Sequence, residues 1–227
     1  MIRLDPRLQA AAELVLPGRP LADIGTDHAY LPIYLVGSGR CPWAVAADKA
    51  ASPIQSAAPV IGKYGLAERI SLRCGDGLAV LQPGEVDTIV ICGMGGQLML
   101  DILDAGPDIL AQTKRLVLQP QKHIELVRYW LAGHAWRIVD EAMVESKGFF
   151  YAVIAAEPGE MELNSREAEY GPVLLQQRGD AFKAWIRRQI AERETICRGL
   201  RDQDSFTTSE RLAELQAEIS ILKQLLE

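Results

Sequence analysis

Long apolar segments are absent from this sequence of 227 residues. No apolar run approaches the roughly 20 residues that cross a bilayer, and the N-terminal stretch, residues 1–6, lacks the apolar core of a signal peptide. Apolar residues nevertheless make up 48% and charged residues 24% of the chain, as in a globular protein with ample material for a core. We therefore expect a cytoplasmic protein that has no membrane partner.

Residues that ligate metals are few and scattered. The three histidines, at positions 28, 123 and 134, lie far apart in the sequence. The four cysteines show no metal-binding spacing and fall in different predicted elements, which indicates reduced thiols; they are Cys41, Cys74, Cys92 and Cys197. The sequence therefore predicts no metal site.

The glycine pattern of dinucleotide-binding proteins is incomplete. An apolar run, residues 21–24, leads into Gly25 and a polar stretch, which predicts the strand, turn and helix that open a nucleotide-binding α/β domain. The G-x-G-x-x-G pattern would continue with glycine where this chain has Asp27 and Tyr30. Since a carboxylate at a helix start repels a diphosphate, an adenosine ligand with cationic groups fits better, and S-adenosylmethionine carries a sulfonium and an ammonium. The alternative is that Asp27 only caps the helix.

Acidic residues recur where later strands are predicted to end. A second buried strand, residues 43–48, ends at Asp48, about 20 residues beyond the glycine turn, where such folds hold the ribose hydroxyls. A surface acid in a loop is the alternative. A third strand, residues 70–74, leads into Gly75-Asp76-Gly77, where the acid can approach an adenine amino group, although this tripeptide is also an ordinary turn. Together with Asp23 in the first strand, Asp48 and Asp76 make three acids that occupy corresponding positions near the ends of successive predicted strands.

The order of the predicted elements indicates a methyltransferase-like sheet. The remaining predicted elements of this region are helices over residues 5–16, 52–64, 98–110 and 124–131 and strands over residues 86–92 and 115–120. Residues 136–140 and 149–155 form two more strands, and the segment between them is too short for a crossover helix, so that they should pair antiparallel. The predicted fold is α/β, a Rossmann-like class I methyltransferase sheet closed by a β-hairpin.

A glycine-rich loop follows the fourth strand. Gly93-Met94-Gly95-Gly96 permits positive φ and close approach of a ligand at the edge where open α/β sheets bind their ligands. Methyltransferases that act on exocyclic amines place an Asn/Asp-Pro-Pro-aromatic motif here. This chain has Gly93-Met94-Gly95-Gly96 in place of that motif, which argues against methylation of N6, the exocyclic amine of adenine.

A change in composition marks a domain boundary. Around residues 158–169 the sequence turns polar and acidic. We therefore predict an S-adenosylmethionine-binding domain over residues 1–159 and a C-terminal helical domain over residues 160–227.

The C-terminal region is predicted to form two helices. An apolar stripe runs from Phe182 to Leu200, and residues 202–205 join it to a second helix that begins with the capping box Thr207-x-x-Glu210. Apolar residues from Leu212 to Leu226 have near-heptad spacing, which makes the region coiled-coil-like. Packing of the two helices on each other is preferred to dimerisation, so that an oligomer is not required.

The first of these helices is basic although the chain is acidic. Residues 178–201 hold seven Lys and Arg against three acids, a local charge of +4 in a chain of net charge −6. Such a segment is typical of an arm that binds a polyanion. The alternative is an ordinary solvated helix face.

Four motifs together resemble one protein family, the bacterial tRNA (adenine-N1)-methyltransferases that modify adenine 22, known as the TrmK family. They are Asp-Ile-Gly-Thr-Asp-His-Ala-Tyr-Leu-Pro (23–32), Gly-Asp-Gly-Leu (75–78), Gly-Met-Gly-Gly (93–96) and Leu-Gln-Pro (118–120). The similarity extends over nearly the whole chain. In that family a Rossmann-like domain binds S-adenosylmethionine and a C-terminal coiled-coil domain assists tRNA binding. The resemblance therefore implies S-adenosylmethionine-dependent methylation of N1 of adenine 22 in tRNA.

The same resemblance implies a set of site residues. Its cofactor contacts are Asp23, Gly25, Asp27, His28, Asp48, Asp76, Gly77, Gly93, Met94 and Gly95. Asp27 is the candidate catalytic residue, because a carboxylate near the base can stabilise the positive charge that develops on adenine. We expect tRNA to contact Arg7, Lys183, Arg187 and Arg188. A methyltransferase of small molecules or of another RNA and a non-catalytic RNA-binding protein with a retained cofactor site stay open as alternatives.

Overall fold

The computed structural model describes the backbone of residues 2–200 and 206–227, and the side chains of the same ranges except residues 206–208. These residues divide into two compact units, one that extends to Val173 and one that begins at Leu174. No helix in the described ranges is long and apolar enough to cross a membrane.

Helix α1 (Pro6–Leu14) begins as the sequence predicts. Asp5 is its N-cap, and the Asp5 carboxylate accepts a hydrogen bond of 2.9 Å from the backbone N–H of Leu8. Pro6 occupies the first helical position, where its missing N–H costs nothing. The face that carries Ala11 is buried, so that α1 packs closely on the sheet.

One sheet of seven strands forms the centre of the first unit. Its strands are β1 (Leu21–Ile24), β2 (Ala44–Asp48), β3 (Ile70–Cys74), β4 (Thr88–Met94), β5 (Arg115–Pro120), β6 (Trp136–Ser146) and β7 (Phe149–Pro158). Their spatial order is β3-β2-β1-β4-β5-β7-β6. Strands β1 to β5 are parallel, and β7 pairs antiparallel with both β5 and β6. The strand order reverses between β1 and β4, which is where open α/β sheets bind their ligands.

Helices cover both faces of this sheet, and two apolar clusters form its core. The helices are α2 (Tyr30–Gly37), α3 (Ala51–Lys63), α4 (Gly96–Asp104), α5 (Pro107–Leu110), α6 (Ile124–Gly133) and α7 (Ser165–Tyr170), with a short 3₁₀ helix at Gly77–Val80. Leu21 faces one cluster and Ala22 the other, and every residue of β1 is buried. Burial on both faces explains why this strand reads as a continuous apolar run.

Two helices differ from their predicted bounds. Helix α2 begins at Tyr30, three residues after Asp27, so that the alternative interpretation of Asp27 as a helix cap is wrong. Ala29, with φ of 53°, is the N-cap. The helix predicted over residues 98–110 is divided into α4 and α5 at Gly106-Pro107. Proline provides no N–H to continue the helical hydrogen bonds, and it begins α5 instead.

Strands β6 and β7 are longer than the sequence suggests. Only Lys147 and Gly148 separate them, with φ of 51° and 77°, as in the type I′ turns that connect twisted strands. The predicted loop over residues 141–148 contains polar residues, and Glu141 is nevertheless buried. The polar residues of this segment therefore favoured a loop in the sequence analysis where the structure has a strand.

A buried ion pair explains why the first unit ends later than the predicted boundary at residue 159. Arg128 Nε of α6 donates to Glu141 Oε1 of β6 at 2.8 Å. Arg128 Nη1 also donates to the Ala168 carbonyl at 2.8 Å, and Glu141 Oε2 accepts from the Val173 N–H at 3.0 Å. These bonds attach residues 160–173 to the sheet domain, and the structure separates the two units between Val173 and Leu174.

The second unit is helical. Helix α8 (Pro172–Gln177) begins two residues before this unit, and α9 (Asp180–Leu200) and α10 (Phe206–Gln224) follow. The residues of α9 and α10 that are buried are Phe182, Ile186, Ile190, Cys197, Leu215, Ile219 and Leu222. Arg193 of α9 forms an ion pair of 2.6 Å with Glu218 of α10. The predicted connection at residues 202–205 and the Thr207 side chain lie outside the described residues.

Candidate cofactor and active site

The parallel strands bring the predicted cofactor residues to one edge of the sheet. Asp23 lies opposite Ala46 of β2 and Val90 of β4, one residue before β1 ends. Asp48 is the last residue of β2, and Asp76 follows β3 by two residues. Because neighbouring parallel strands end at the same edge, these three residues lie at the edge of the sheet where the glycine loop after β4 also begins.

The turn between β1 and α2 has an unusual backbone. Gly25 has φ of 77°, and the consecutive residues His28 and Ala29 have φ of 56° and 53°. A left-handed conformation costs roughly 1–3 kcal/mol at a residue other than glycine, and such strain is frequent at functional sites. The Asp27 side chain is 84% exposed, and His28 Nε2 lies 3.3 Å from its Oδ1. The turn therefore presents a solvated carboxylate just beyond the carboxyl end of β1.

The carboxylates after β2 and β3 have different local partners. Asp48 Oδ1 accepts a hydrogen bond of 2.7 Å from the backbone N–H of Ala50, which fixes the carboxylate at the strand end. Asp76 Oδ2 lies 2.7 Å from Lys49 Nζ, and both of these side chains are exposed. A ligand amino group at Asp76 would share that carboxylate with the exposed Lys49 ammonium.

The glycine loop contains one open and one closely packed position. A Cβ added at Gly95 would meet no heavy atom within 4 Å, whereas one at Gly96 would lie 2.6 Å from the His123 carbonyl oxygen. The Gly96 N–H donates to the Lys122 carbonyl at 2.9 Å, so that the loop is attached to the segment after β5. The Met94 side chain covers Gly25. The structure therefore leaves free space at Gly95 while it holds the neighbouring backbone in place.

Asp23 lies in a buried polar cluster near the carboxyl end of β1. The residue is 6% exposed. Burial raises the pKa of the Asp23 carboxyl from 3.8 to about 6, and the nearby Arg7 guanidinium acts in the opposite direction. Gln119 Oε1 accepts from Arg7 Nη1 at 2.8 Å and from the Gly93 N–H at 3.1 Å. The cluster thus connects helix α1 to the glycine loop.

The position of Arg7 and Gln119 was not apparent from the sequence alone. Arg7 was predicted to contact tRNA, and this stays a prediction; its guanidinium lies in the Gln119 cluster and 5.9 Å from the centre of the Tyr151 ring. One feature of the sequence could have indicated Gln119: it is a polar residue that directly follows the apolar run of residues 116–118 in the buried strand β5.

Replacing Asp23 by Asn tests the buried carboxyl. Because the folded-state pKa is raised, the folded protein binds this proton more tightly than the unfolded chain, and wild-type stability is lost as pH rises towards 6. The stability of Asp23→Asn relative to wild type should increase between pH 4 and pH 7.5 by about 2–3 kcal/mol, since one pKa unit corresponds to about 1.4 kcal/mol. Urea unfolding at both pH values measures this difference. If the difference in stability between Asp23→Asn and wild type is the same at both pH values, burial does not raise the pKa of the Asp23 carboxyl.

The cations predicted to bind tRNA on α9 differ in their partners. Arg188 pairs with Glu192 at 3.0 Å. Lys183 and Arg187 form no ion pair with any residue in the described ranges, and Arg187 is exposed.

Across those same ranges no group of three His, Cys, Asp or Glu residues could hold a metal ion.

The sequence of this chain is similar to those of known tRNA methyltransferases. The family profile of TrmK, tRNA (adenine(22)-N(1))-methyltransferase, matches residues 21–224. The tRNA (adenine(22)-N(1))-methyltransferase of Bacillus subtilis (strain 168) is 36% identical over 239 residues, which cover 100% of this chain and 98% of that protein.

Two solved structures extend this similarity to the fold. The crystal structure of the B. subtilis m1A22 tRNA methyltransferase TrmK has a TM-score of 0.83 and 34% identity, with 100% of both chains covered. Streptococcus pneumoniae Sp1610 in complex with S-adenosyl-L-methionine has a TM-score of 0.87 and 33% identity, and the match covers 99% of this chain and 100% of Sp1610. The chain belongs to the TrmK family, whose profile describes tRNA (adenine(22)-N(1))-methyltransferases.

Proposed function

We propose that this protein transfers a methyl group from S-adenosylmethionine to N1 of adenine 22 in tRNA. The observation that carries the proposal is that Asp23, Asp48 and Asp76 lie at the carboxyl-end edge of the sheet, whose strand order reverses between β1 and β4. Carboxylates suit a cofactor with ribose hydroxyls, an amino group and a positive sulfonium, and they oppose a pyrophosphate.

The residues present fit this cofactor. Asp48 uses Oδ1 to accept from the Ala50 N–H, and its other oxygen is available to ribose hydroxyls. Asp76 would accept from the adenine amino group beside Lys49. Open space at Gly95 allows a ligand to approach the backbone closely, as the family resemblance expects.

The chemistry of adenine N1 requires little from the protein beyond alignment and charge stabilisation. When bound, S-adenosylmethionine supplies an electrophilic methyl group, so that the N1 lone pair forms the N–CH₃ bond while the S–CH₃ pair returns to sulfur and leaves S-adenosylhomocysteine. Positive charge therefore moves from the sulfur to the adenine ring. We propose that the solvated Asp27 carboxylate stabilises this charge, and that the backbone after β4 orients the base.

We also assign tRNA binding to the basic helix α9. Lys183 and Arg187 retain unneutralised charge within the described residues, whereas Arg193 is compensated by Glu218. Cations that are not already paired contribute most to phosphate binding, because no intramolecular ion pair has to be broken. The segment therefore acts as an arm for the tRNA backbone.

A substitution at the open glycine tests the whole proposal. Purified protein should place one methyl group on adenine 22 of a tRNA transcript, located by mass spectrometry, and a transcript with guanine at position 22 should stay unmodified. Gly95→Val should lower affinity for S-adenosylmethionine at least about tenfold and abolish methylation, because its side chain occupies the space assigned to the cofactor.

Gly133→Val is the matched control. Gly133 ends α6 and also has no heavy atom near an added Cβ, so this variant should bind and methylate normally. Transfer to small metabolites but not to tRNA would support the small-molecule alternative, and cofactor binding without turnover on any RNA would support the non-catalytic one.

A further inference from the structure

The β6–β7 hairpin extends beyond the cofactor edge of the sheet. Leu118 of β5 pairs with Ile154 of β7, and because the pairing is antiparallel, Pro120 at the end of β5 falls level with Ala152. Phe149, the first residue of β7, lies three residues further along. At about 3.3 Å per residue the hairpin tip projects roughly 10 Å past the end of β5.

The Phe149 side chain lies on the strand face that leads to the site. Side chains two residues apart on a strand share a face, so Phe149 and Tyr151 point to the same side of β7. The Tyr151 ring is 5.9 Å from the Arg7 guanidinium carbon, and Arg7 is bonded to Gln119 beside the glycine loop. Phe149 therefore continues the surface of the crevice outward along the hairpin.

Phe149 is unusually exposed for an aromatic residue. At 60%, it is the most exposed of the large hydrophobic residues in the described ranges. Its cross-strand neighbour is Ser146, which offers no apolar surface to cover the ring. Lys147, two residues before Phe149 in the turn, is exposed and makes no ion pair with any described residue. A flat apolar ring and a free ammonium thus stand together at the tip.

We propose that the hairpin tip binds an unpaired nucleotide of the tRNA next to the methylated adenine, with the base stacked on Phe149 and a phosphate at Lys147. This proposal rests on the proposed tRNA methylation. Proteins that bind single-stranded nucleic acid combine aromatic platforms with cations in this way, and stacking tolerates any base. The tip is continuous with the crevice and its charge is complementary to RNA, which favours RNA over another protein as its partner.

Substitutions at Phe149 test the stacking contact. Phe149→Ala should raise the KM for tRNA about 5- to 150-fold, the equivalent of roughly 1–3 kcal/mol for one stacked base. The dissociation constant of S-adenosylmethionine should not change. Phe149→Trp should retain the wild-type KM, whereas Phe149→Leu should behave like the Ala variant if a π face is needed. Lys147→Gln should reduce the slope of log affinity against log salt by about 0.7–0.9.

Tyr64 provides the matched control. This aromatic residue is 38% exposed and lies between α3 and β3, at the opposite edge of the sheet, so Tyr64→Ala should leave the KM for tRNA unchanged. If the wild-type protein methylates tRNA and Phe149→Ala leaves the KM for tRNA unchanged, this proposal is overturned and the proposed function is not. Self-association that depends on Phe149, with normal tRNA kinetics, would also overturn it. Failure of the wild-type protein to methylate tRNA would instead refute the proposed function.

Discussion

Replacing Asp27 by Asn is expected to lower the rate of a single methyl transfer by about 10²- to 10³-fold. This is the scale observed when one positioned electrostatic partner of a transition state is removed. The substitution retains the size of the side chain and removes the negative charge that opposes the charge developing on adenine. Single-turnover measurements at saturating S-adenosylmethionine and tRNA separate this effect from weaker binding.

Stability should hardly change in the Asp27→Asn variant. The side chain is 84% exposed and does not cap α2, which begins at Tyr30. The melting temperature is therefore expected to match that of wild type. Glu68→Gln, at an exposed acid just before β3, serves as the control for loss of one surface charge. A near-normal transfer rate in Asp27→Asn would remove Asp27 from the chemistry.

Replacing Arg128 by Met is expected to lower the free energy of unfolding by about 3–5 kcal/mol. The side chains of Arg128 and Glu141 are 1% and 0% exposed, and the change leaves the Glu141 carboxylate buried without the guanidinium. The Ala168 carbonyl also loses the hydrogen bond that it accepts from Arg128. Urea denaturation of the full chain measures the loss.

Two further variants make the result specific to the buried charge. Arg128→Met combined with Glu141→Leu should recover part of the stability, because no lone charge then remains in the interior. Arg211→Met breaks an exposed pair with Glu214 and should leave the free energy of unfolding almost unchanged, because solvent screens exposed ion pairs. Equal losses for Arg128→Met and Arg211→Met would contradict the importance of the buried pair.

Local sequence patterns predicted much of the sheet because its central parallel strands are buried on both faces. Strands β1, β2 and β5 are short apolar runs with clear ends, and Asp48 was recognisable because it ends one of them. The start of α2 was not predictable in this way. His28 and Ala29 adopt left-handed conformations that their residue types do not favour, and only the surrounding packing imposes them.

Contacts between distant residues account for the other differences. Glu141 reads as a loop residue until Arg128, 13 positions earlier, is seen to neutralise it. Arg7 and Gln119 are separated by 112 positions, so no local pattern could connect them. The predicted domain boundary missed residues 160–173 for the same reason, because their attachment depends on a buried ion pair in another part of the chain.

The packing of Met94 on Gly25 has a consequence for redesign of the cofactor site. A side chain at Gly25 would collide with the Met94 methyl group, and the Gly96 position is closed by backbone carbonyl oxygens that cannot move aside. The Met94 side chain, by contrast, is flexible, so shortening it would open space above Gly25, while the Met94 carbonyl could still accept its hydrogen bond from the Gln121 N–H. At the cofactor site that we propose, room for bulkier synthetic analogues of S-adenosylmethionine is therefore best made at Met94, with both glycines retained.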